Sequence, residues 1–464
     1  MRQSLFLPCV LFLSTLAGCS FPLWQSEKNS SSHTYKEDEE VKISREFRRE
    51  AKKHLKFVRN FEVERYVDQI GRRLLATMGP PPFDYRFFVI DEPELNAFAI
   101  PGGSIYVHSG LIEKMDSTDE LAGVMGHEIV HIKGRHMARM SGPDLLSLAG
   151  LLGIFLGGSS GTQAAAALGQ AVALTRQLAY ARQLEQEADT LGIKYMAAAG
   201  YDPRAAIGFL KVIDQERLLN PVDIPPYLMS HPLSQERISN AEAAIRSLRL
   251  EHTRSADLQT IRKIKTLLRL ERHETTAVIK EQEELIKRTG GKAEEKHLLG
   301  IAYYQMGNWE KARQNYEEAR SQDRALPGID RDLGRLYTQT GQLRLARDAL
   351  ERAISLQPKE ALNYLYLGEL NERESNLREA AGAYINAQSL APLWPEPPQR
   401  LGTVYGKMSR LGDGYYYLGR SMLLQDEYEK AIAQWERALK IFNENSPRGQ
   451  ILKAELDSLR ERGR

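Results

Sequence analysis

The residues best placed to do chemistry in this 464-residue chain are His127, Glu128 and His131. They lie in the run Gly126-His127-Glu128-Ile129-Val130-His131, an H-E-x-x-H pattern. Residues four apart on a helix share a face, so the two imidazoles can aim at one point with the Glu128 carboxylate beside it. That is the arrangement of a zinc site with a general base next to it. The flanking sequence predicts the helix this needs. Ser117 or Thr118 can cap its start, and Ser117 with Glu120 resembles a capping box. Leu121, Val124 and Met125 follow at helical spacing, and Gly134 offers a stop. A five-residue pattern with two free positions also arises by chance on amphipathic helices, so the third ligand has to decide.

One solution places a third histidine six residues after the second. Here that position is Met137, and His136 misses by one. Another takes a glutamate from a later helix. The segment Arg182-Gln183-Leu184-Glu185-Gln186-Glu187-Ala188-Asp189 supplies Glu185, with Asp189 again four residues on. Two acids on an Ala-rich helix can be plain solvated surface; beside a histidine pair, a ligand and its carboxylate partner is the stronger reading.

Several ordered motifs now point one way. They are Asn96-Ala97-Phe98-Ala99 with Pro101-Gly102-Gly103, HEIVH with Arg135-His136, Glu185-Gln186-Glu187-Ala188-Asp189, and His231-Pro232 with Glu236-Arg237. Together they resemble HtpX-type gluzincin metallopeptidases over roughly residues 60–250. The resemblance implies one zinc per chain, with His127, His131 and Glu185 as ligands and Glu128 as base. It implies that Asp189 orients a ligand histidine, since such ligands usually donate their other ring N–H to a carboxylate. It also raises His231, otherwise a turn residue before a proline, to a catalytic candidate. A loop with Pro221, Pro225 and Pro226 precedes it, and Pro232 fixes the chain after it. Held there, His231 can donate to the oxyanion of a tetrahedral intermediate. Alternatively it can act as a fourth zinc ligand, displacing the water and keeping the protease latent.

The elements that must position these groups are legible in outline. Glu37 to Met78 has a helical pattern that Pro80-Pro81-Pro82 stops. Tyr85 to Ile90 reads as a strand, and Ala97–Ile100 and Ser104–Val107 read as two strands around the turn Pro101-Gly102-Gly103. In such peptidases the sheet edge beside the metal helix takes extended substrate as an added strand. Within residues 143–174, Leu145–Leu156 and Ala164–Leu174 are two uncharged halves around Gly157–Gly161. Each is shorter than the ~20 residues a spanning helix needs, which favours a buried core pair, a lid or a membrane contact. Tyr180 to Ala199 carries the third ligand and ends at Gly200.

The first residues read as a leader. Arg2 precedes the apolar run Leu5–Leu16, and Leu16-Ala17-Gly18-Cys19 resembles a bacterial lipobox. Residues 1–18 are therefore expected to be removed, leaving Cys19 lipidated at the head of a polar tether, 19–36. Ser20 after the cysteine suggests the outer membrane, so the expected location is its periplasmic side, or the periplasm without lipid. Cys9 and Cys19 are the two cysteines, so the processed chain has none left for a disulfide. The formal net charge of +2 gives no argument for nucleic acid.

From about residue 255 charged helices take over. Gly300, Gly334, Gly368 and Gly402 recur at 34-residue steps. Ala312, Tyr316 and Ala319 follow the first, Ala346, Leu350 and Ala353 the second, and Ala380, Tyr384 and Ala387 the third. This period resembles tetratricopeptide repeats. Gly419 opens another unit only half a period after Gly402, so one helix is expected to serve two units. Residues 258–290 read as a degenerate first repeat. Such an array leaves a concave face for a protein partner.

The expected fold is mainly α, an α+β gluzincin-type zinc peptidase domain with a small sheet (37–254) followed by a tetratricopeptide solenoid (255–464). This layout resembles bacterial envelope proteases. It implies cleavage of misfolded or stalled envelope proteins in outer-membrane protein assembly, with the repeats contacting the assembly machinery. The competing class is a periplasmic chaperone or scaffold; an intact Glu128 argues against it, because a scaffold needs no base.

Overall fold

The computed structural model describes residues 37–140, 182–219, 225–248, 258–443 and 445–463. The leader with Cys19, the tether, the apolar run 143–174 and Pro221 lie outside the described residues. Among the described residues no helix is long and apolar enough to cross a membrane.

Two helices open the first domain, α1 (Glu37–His54) and α2 (Phe61–Leu75). The helical pattern read across Glu37–Met78 is thus broken in the middle. Phe57 forms an isolated antiparallel bridge with Ile90, and Asn60 then caps α2, its side-chain oxygen accepting from the Glu62 and Val63 N–H groups. Strands β1 (Arg86–Ile90), β2 (Ala97–Ile100) and β3 (Ser104–His108) form one sheet in the order β1-β3-β2. β3 runs parallel to β1 and antiparallel to β2. The turn between β2 and β3 needs its glycines. Gly102 and Gly103 have φ of +87° and +109°, and a Cβ on Gly102 would run into the Glu40 carbonyl.

Alternation sets the two faces of the sheet. Ala97, Ala99, Ile105 and Val107 point into the main core with Val67, Ile70 and Leu74 of α2. Phe98, Ile100 and Tyr106 point the other way, onto Phe47 and Ala51 of α1. Short α3 (Ser109–Lys114) leads to α4 (Thr118–Lys133), which lies inside the main core with Leu121, Ala122, Val124, Met125 and Ile129. Ser117 caps α4 through the Glu120 N–H, and the Glu120 carboxylate accepts from the Asp116 N–H. Gly134 follows as the C-cap.

The repeats explain their own period. A Cβ on Gly300 would enter the Tyr316 ring, and Gly334, Gly368 and Gly402 stand in the same relation to Leu350, Tyr384 and Leu418. Each glycine is a notch on one helix that receives the large side chain sixteen residues later on the next. Helix Leu411–Leu424 carries both the Leu418 that fills the Gly402 notch and the Gly419 notch that takes Trp435. One helix therefore serves two units.

The start of the array differs from a simple first repeat. Ile261, Ile264, Leu267 and Leu268 of the helix Leu258–Glu271 belong to the main core of the first domain, whereas Leu270 joins the repeat core. Further contacts tie the two parts. Phe61 stacks on Trp394 at 3.8 Å between centroids. Glu62 accepts from Lys263 at 2.5 Å and pairs with Arg331 at 3.0 Å. Asp426, nearly fully buried, pairs with Lys52 at 2.8 Å and Arg48 at 3.4 Å.

A division at 254 consequently removes four buried side chains from the first core. At about 1.5–3 kcal/mol each, their loss rivals a domain's whole stability of about 5–15 kcal/mol. A fragment covering residues 37–273 is expected to unfold cooperatively on heating, and a fragment covering 37–254 to lack a cooperative transition. Equal melting of the two by circular dichroism would show that the shared helix is dispensable.

Candidate metal centre

The site is built where α4 crosses the helix Arg182–Ala198. Both helices are small at the crossing: a Cβ on Gly192 would lie 3.2 Å from the His127 backbone nitrogen, and a Cβ on Gly126 would lie 3.4 Å from the Gly192 carbonyl. This close approach brings Glu185, about two turns before Gly192 on the same helix, up to the histidine pair. Its buried face is Leu184, Glu185, Ala188, Gly192, Ile193 and Met196.

Four groups meet there. One nitrogen each from His127, His131 and His231 and one oxygen from Glu185 all lie within 4.8 Å of one another. His127 Nε2 is 2.9 Å from His131 Nε2 and 3.3 Å from His231 Nδ1. Glu185 Oε1 is 3.1 Å from His231 Nδ1 and 3.4 Å from His131 Nε2. A tetrahedron with bonds of ~2.05 Å has edges of ~3.3 Å, so three nitrogens and one oxygen so spaced suit a first-row divalent cation. Glu128 supports the same conclusion. It is 0% exposed, and among the described residues neither of its carboxylate oxygens has a hydrogen bond. A buried carboxylate in that state is costly unless a ligand or water is meant to meet it.

The surrounding carboxylates and one guanidinium set the electrostatics. Asp189 Oδ1 is 2.9 Å from His127 Nδ1, the orientation expected of a ligand's partner. Arg237, 3% exposed, donates from Nε and Nη2 to Asp189 at 2.8 and 2.9 Å. Its Nη1 sits 2.8 Å from Glu185 Oε2 and donates to the Pro232 carbonyl at 3.0 Å. One side chain thus ties the third-ligand helix to the His231 turn. Burial opposes charge on His127, yet Glu185 and Asp189 beside it raise its pKa to about 10. Burial and the neighbouring His127 push His131 well below its usual value. Burial raises the Glu128 carboxyl. Burial would raise Glu185 too, but His231 and His127 hold it well below the carboxylate range.

His231 is placed by a short helix, Pro226–Ser230, whose Tyr227 carbonyl accepts the His231 N–H at 2.8 Å. The Tyr227 ring lies 4.7 Å from the imidazole. His231 Nδ1 faces the ligand cluster, and its Nε2 is 3.5 Å from Glu128 Oε1. Every described residue picked from the sequence for chemistry is therefore at this one spot, namely His127, Glu128, His131, Glu185, Asp189 and His231. Sequence reasoning missed the role of Arg237, although it stands in the quoted Glu236-Arg237 motif, and it missed the placement of His136 against His131. Burial drives the His136 pKa down to about 4.

Comparisons with known proteins cover the segment that carries this site. Residues 62–245 match peptidase family M48. Residues 294–359, 331–392 and 412–445 match tetratricopeptide repeats. The beta-barrel assembly-enhancing protease of Escherichia coli K12 is 36% identical over 212 residues, covering 44% of this chain and 43% of that protein. The putative beta-barrel assembly-enhancing protease of Vibrio cholerae is 35% identical over 189 residues, 39% of each. The mitochondrial metalloendopeptidase OMA1 of Arabidopsis thaliana is 33% identical over 166 residues, 35% of this chain and 32% of that one. The alignments span under half the length of these curated relatives. The chain carries a metallopeptidase domain of family M48 followed by tetratricopeptide repeats.

Arg237 compensates two buried carboxylates, so Arg237→Met should cost about 3–5 kcal/mol. Urea denaturation with a chelator present, so that no cation can substitute, checks this. A loss under about 1 kcal/mol would mean that Glu185 and Asp189 take up protons instead.

Proposed function

We propose that the chain is a zinc-dependent endopeptidase that cleaves misfolded or stalled envelope proteins on the periplasmic side of a bacterial outer membrane, held there by a lipid on Cys19. The observation that carries the catalytic part is the convergence of His127, His131 and Glu185 beside a buried Glu128 that lacks a hydrogen-bond partner among the described residues. Three imidazole nitrogens and a carboxylate oxygen make a donor set suited to zinc. The cellular part draws its support from the name of the bacterial relatives and from the lipobox-like end of the leader.

His127, His131 and Glu185 would hold the ion. When bound, zinc supplies Lewis acidity, which polarises a scissile carbonyl and makes a water more acidic. The chain's own residues do the rest. Glu128 takes the proton of the attacking water and returns it to the leaving amine. Burial raises its pKa, which makes it the stronger base for taking that proton. Asp189 holds His127 in the tautomer with a hydrogen on Nδ1, leaving Nε2 as donor atom. Arg237 keeps both carboxylates of the third-ligand helix ionised.

His231 closes the site in this conformation. With Nδ1 in the donor set and Nε2 towards Glu128, it stands where water and substrate must come. A retracted His231 turn opens that place, and the same imidazole can then donate to the oxyanion. The repeats would bring clients and assembly partners. A groove of about 600 Å³ between repeat helices, with Arg347, Tyr364, Asn371 and Glu374 on its walls, is one surface for this.

Glu128→Gln should keep the zinc and cut casein cleavage by about 10²–10⁴-fold. Cleavage at the wild-type rate would remove Glu128 as the base, and a pure protein that only prevents aggregation would favour the chaperone reading. His231→Ala should raise cleavage of a short peptide with zinc retained; a fall would assign the oxyanion role alone. The Cys19→Ser chain should leave the membrane fraction. If it stays as membrane-bound as wild type, the anchor lies elsewhere and residues 143–174 become the suspect.

A further inference from the structure

We propose that His136 is a positioning residue for His131, the middle member of a His131–His136–Glu187 relay that fixes which nitrogen of His131 faces the metal. His131 Nε2 points into the donor set, 2.9 Å from His127 Nε2. Its other nitrogen, Nδ1, lies 2.8 Å from His136 Nδ1. Two ring nitrogens at that distance share one hydrogen. Once His131 Nε2 offers its lone pair, the hydrogen sits on Nδ1, so His131 donates and His136 accepts. His136 must then carry its own hydrogen on Nε2. That nitrogen faces Glu187 Oε2 at 3.5 Å, long for a hydrogen bond but close enough for the carboxylate to favour the tautomer. The three acids of the third-ligand helix thereby divide their work. Glu185 enters the donor set, Asp189 hydrogen-bonds His127, and Glu187 faces His136 Nε2 by charge, without a hydrogen bond.

The backbone between the two histidines is shaped for this contact. His136 folds back over Gly134, where a Cβ would collide with its imidazole ring. Arg135 sits between them in the left-handed region with φ +52°, which is strained for a residue with a side chain. The strain is held by Glu40, 1% exposed, which accepts from Arg135 Nε at 2.8 Å. His136 itself is 0% exposed. A chain that only needed to leave α4 would require neither the strained arginine nor a buried imidazole. The two histidine ligands are thus held differently, His127 by a carboxylate and His131 by a second imidazole.

The inference rests on the metal-site reading above but not on peptidase activity. The test therefore reads metal affinity in the full-length protein, by zinc competition with a chromophoric chelator and by the visible spectrum of the Co²⁺ form. His136→Leu should weaken zinc by about 10–100-fold, and its Co²⁺ spectrum should shift. His136→Gln, whose side-chain oxygen can accept in place of Nδ1, should recover most of the loss. Glu187 is partly exposed, so Glu187→Ala keeps the test decisive should the His136 variants not fold. It should give a smaller loss, about threefold, because it acts one residue further out. Wild-type affinity and spectrum in His136→Leu would overturn the proposal. Equal losses in the Leu and Gln variants would do so as well, since they assign His136 to packing. Unchanged affinity in Glu187→Ala would overturn the outer step. A wild-type chain that binds no zinc would instead sink the metal-site reading itself.

Discussion

The structure depends on burying several ionisable groups at one helix crossing. His127, Glu128, His131, Glu185 and His231 are each at most 5% exposed. An isolated buried charge costs several kcal/mol, and a pair offsets this only with good geometry and further hydrogen bonds. Here the geometry is enforced from outside the cluster. Gly126 and Gly192 let the two helices touch, Asp189 fixes one imidazole, and Arg237 supplies the buried cation that the carboxylates need. The sheet, α2 and the shared helix Leu258–Glu271 supply the apolar wall around α4. Remove the wall and water would relax the whole constellation.

Much of this was legible because the chemistry is periodic. A four-residue spacing places His127 with His131 and Glu185 with Asp189 on helix faces, and sixteen residues separate each repeat glycine from the side chain that fills it. The β2–β3 hairpin was legible for a different reason, since Pro101-Gly102-Gly103 leaves few other backbone paths. What stayed hidden was set by non-local packing. Nothing in Leu55–Val58 announces a break between α1 and α2, because the Phe57–Ile90 bridge forms with a distant strand. The helix Leu258–Glu271 carries a helical apolar stripe that would suit either neighbour, and only the tertiary structure decides that most of it faces the peptidase core.

Arg237 and His136 were hidden at a finer level. Both stand in sequence motifs, but a motif gives identity and order without direction. His136 reads as a near miss for a ligand because its distance from His131 is counted along the chain. In space, the left-handed Arg135 reverses that count and brings the two Nδ1 atoms together. Positive φ at a non-glycine residue has no reliable sequence signature, which is why the contact could only be seen in coordinates.

The same turn bears on how the two domains are joined. α1 makes three sets of contacts. Its Glu40 holds Arg135 at the end of the metal helix, its Phe47 and Ala51 cover the sheet, and its Arg48 and Lys52 reach Asp426 between two repeat helices. The first turn of α2 adds Glu62 to the buried network of Arg331, Asp332 and His297. The array is therefore seated on the two N-terminal helices through charges that are mostly desolvated. Isolated pairs on a wet surface would contribute little to such a joint, about 0–1 kcal/mol each. A partly buried network, joined to the Phe61–Trp394 stack and the shared helix, sets a single arrangement. The consequence is mechanical. A segment lying on the array meets the metal centre at a distance set by α1 and α2, and the helix that fixes the array also fixes the turn behind His131.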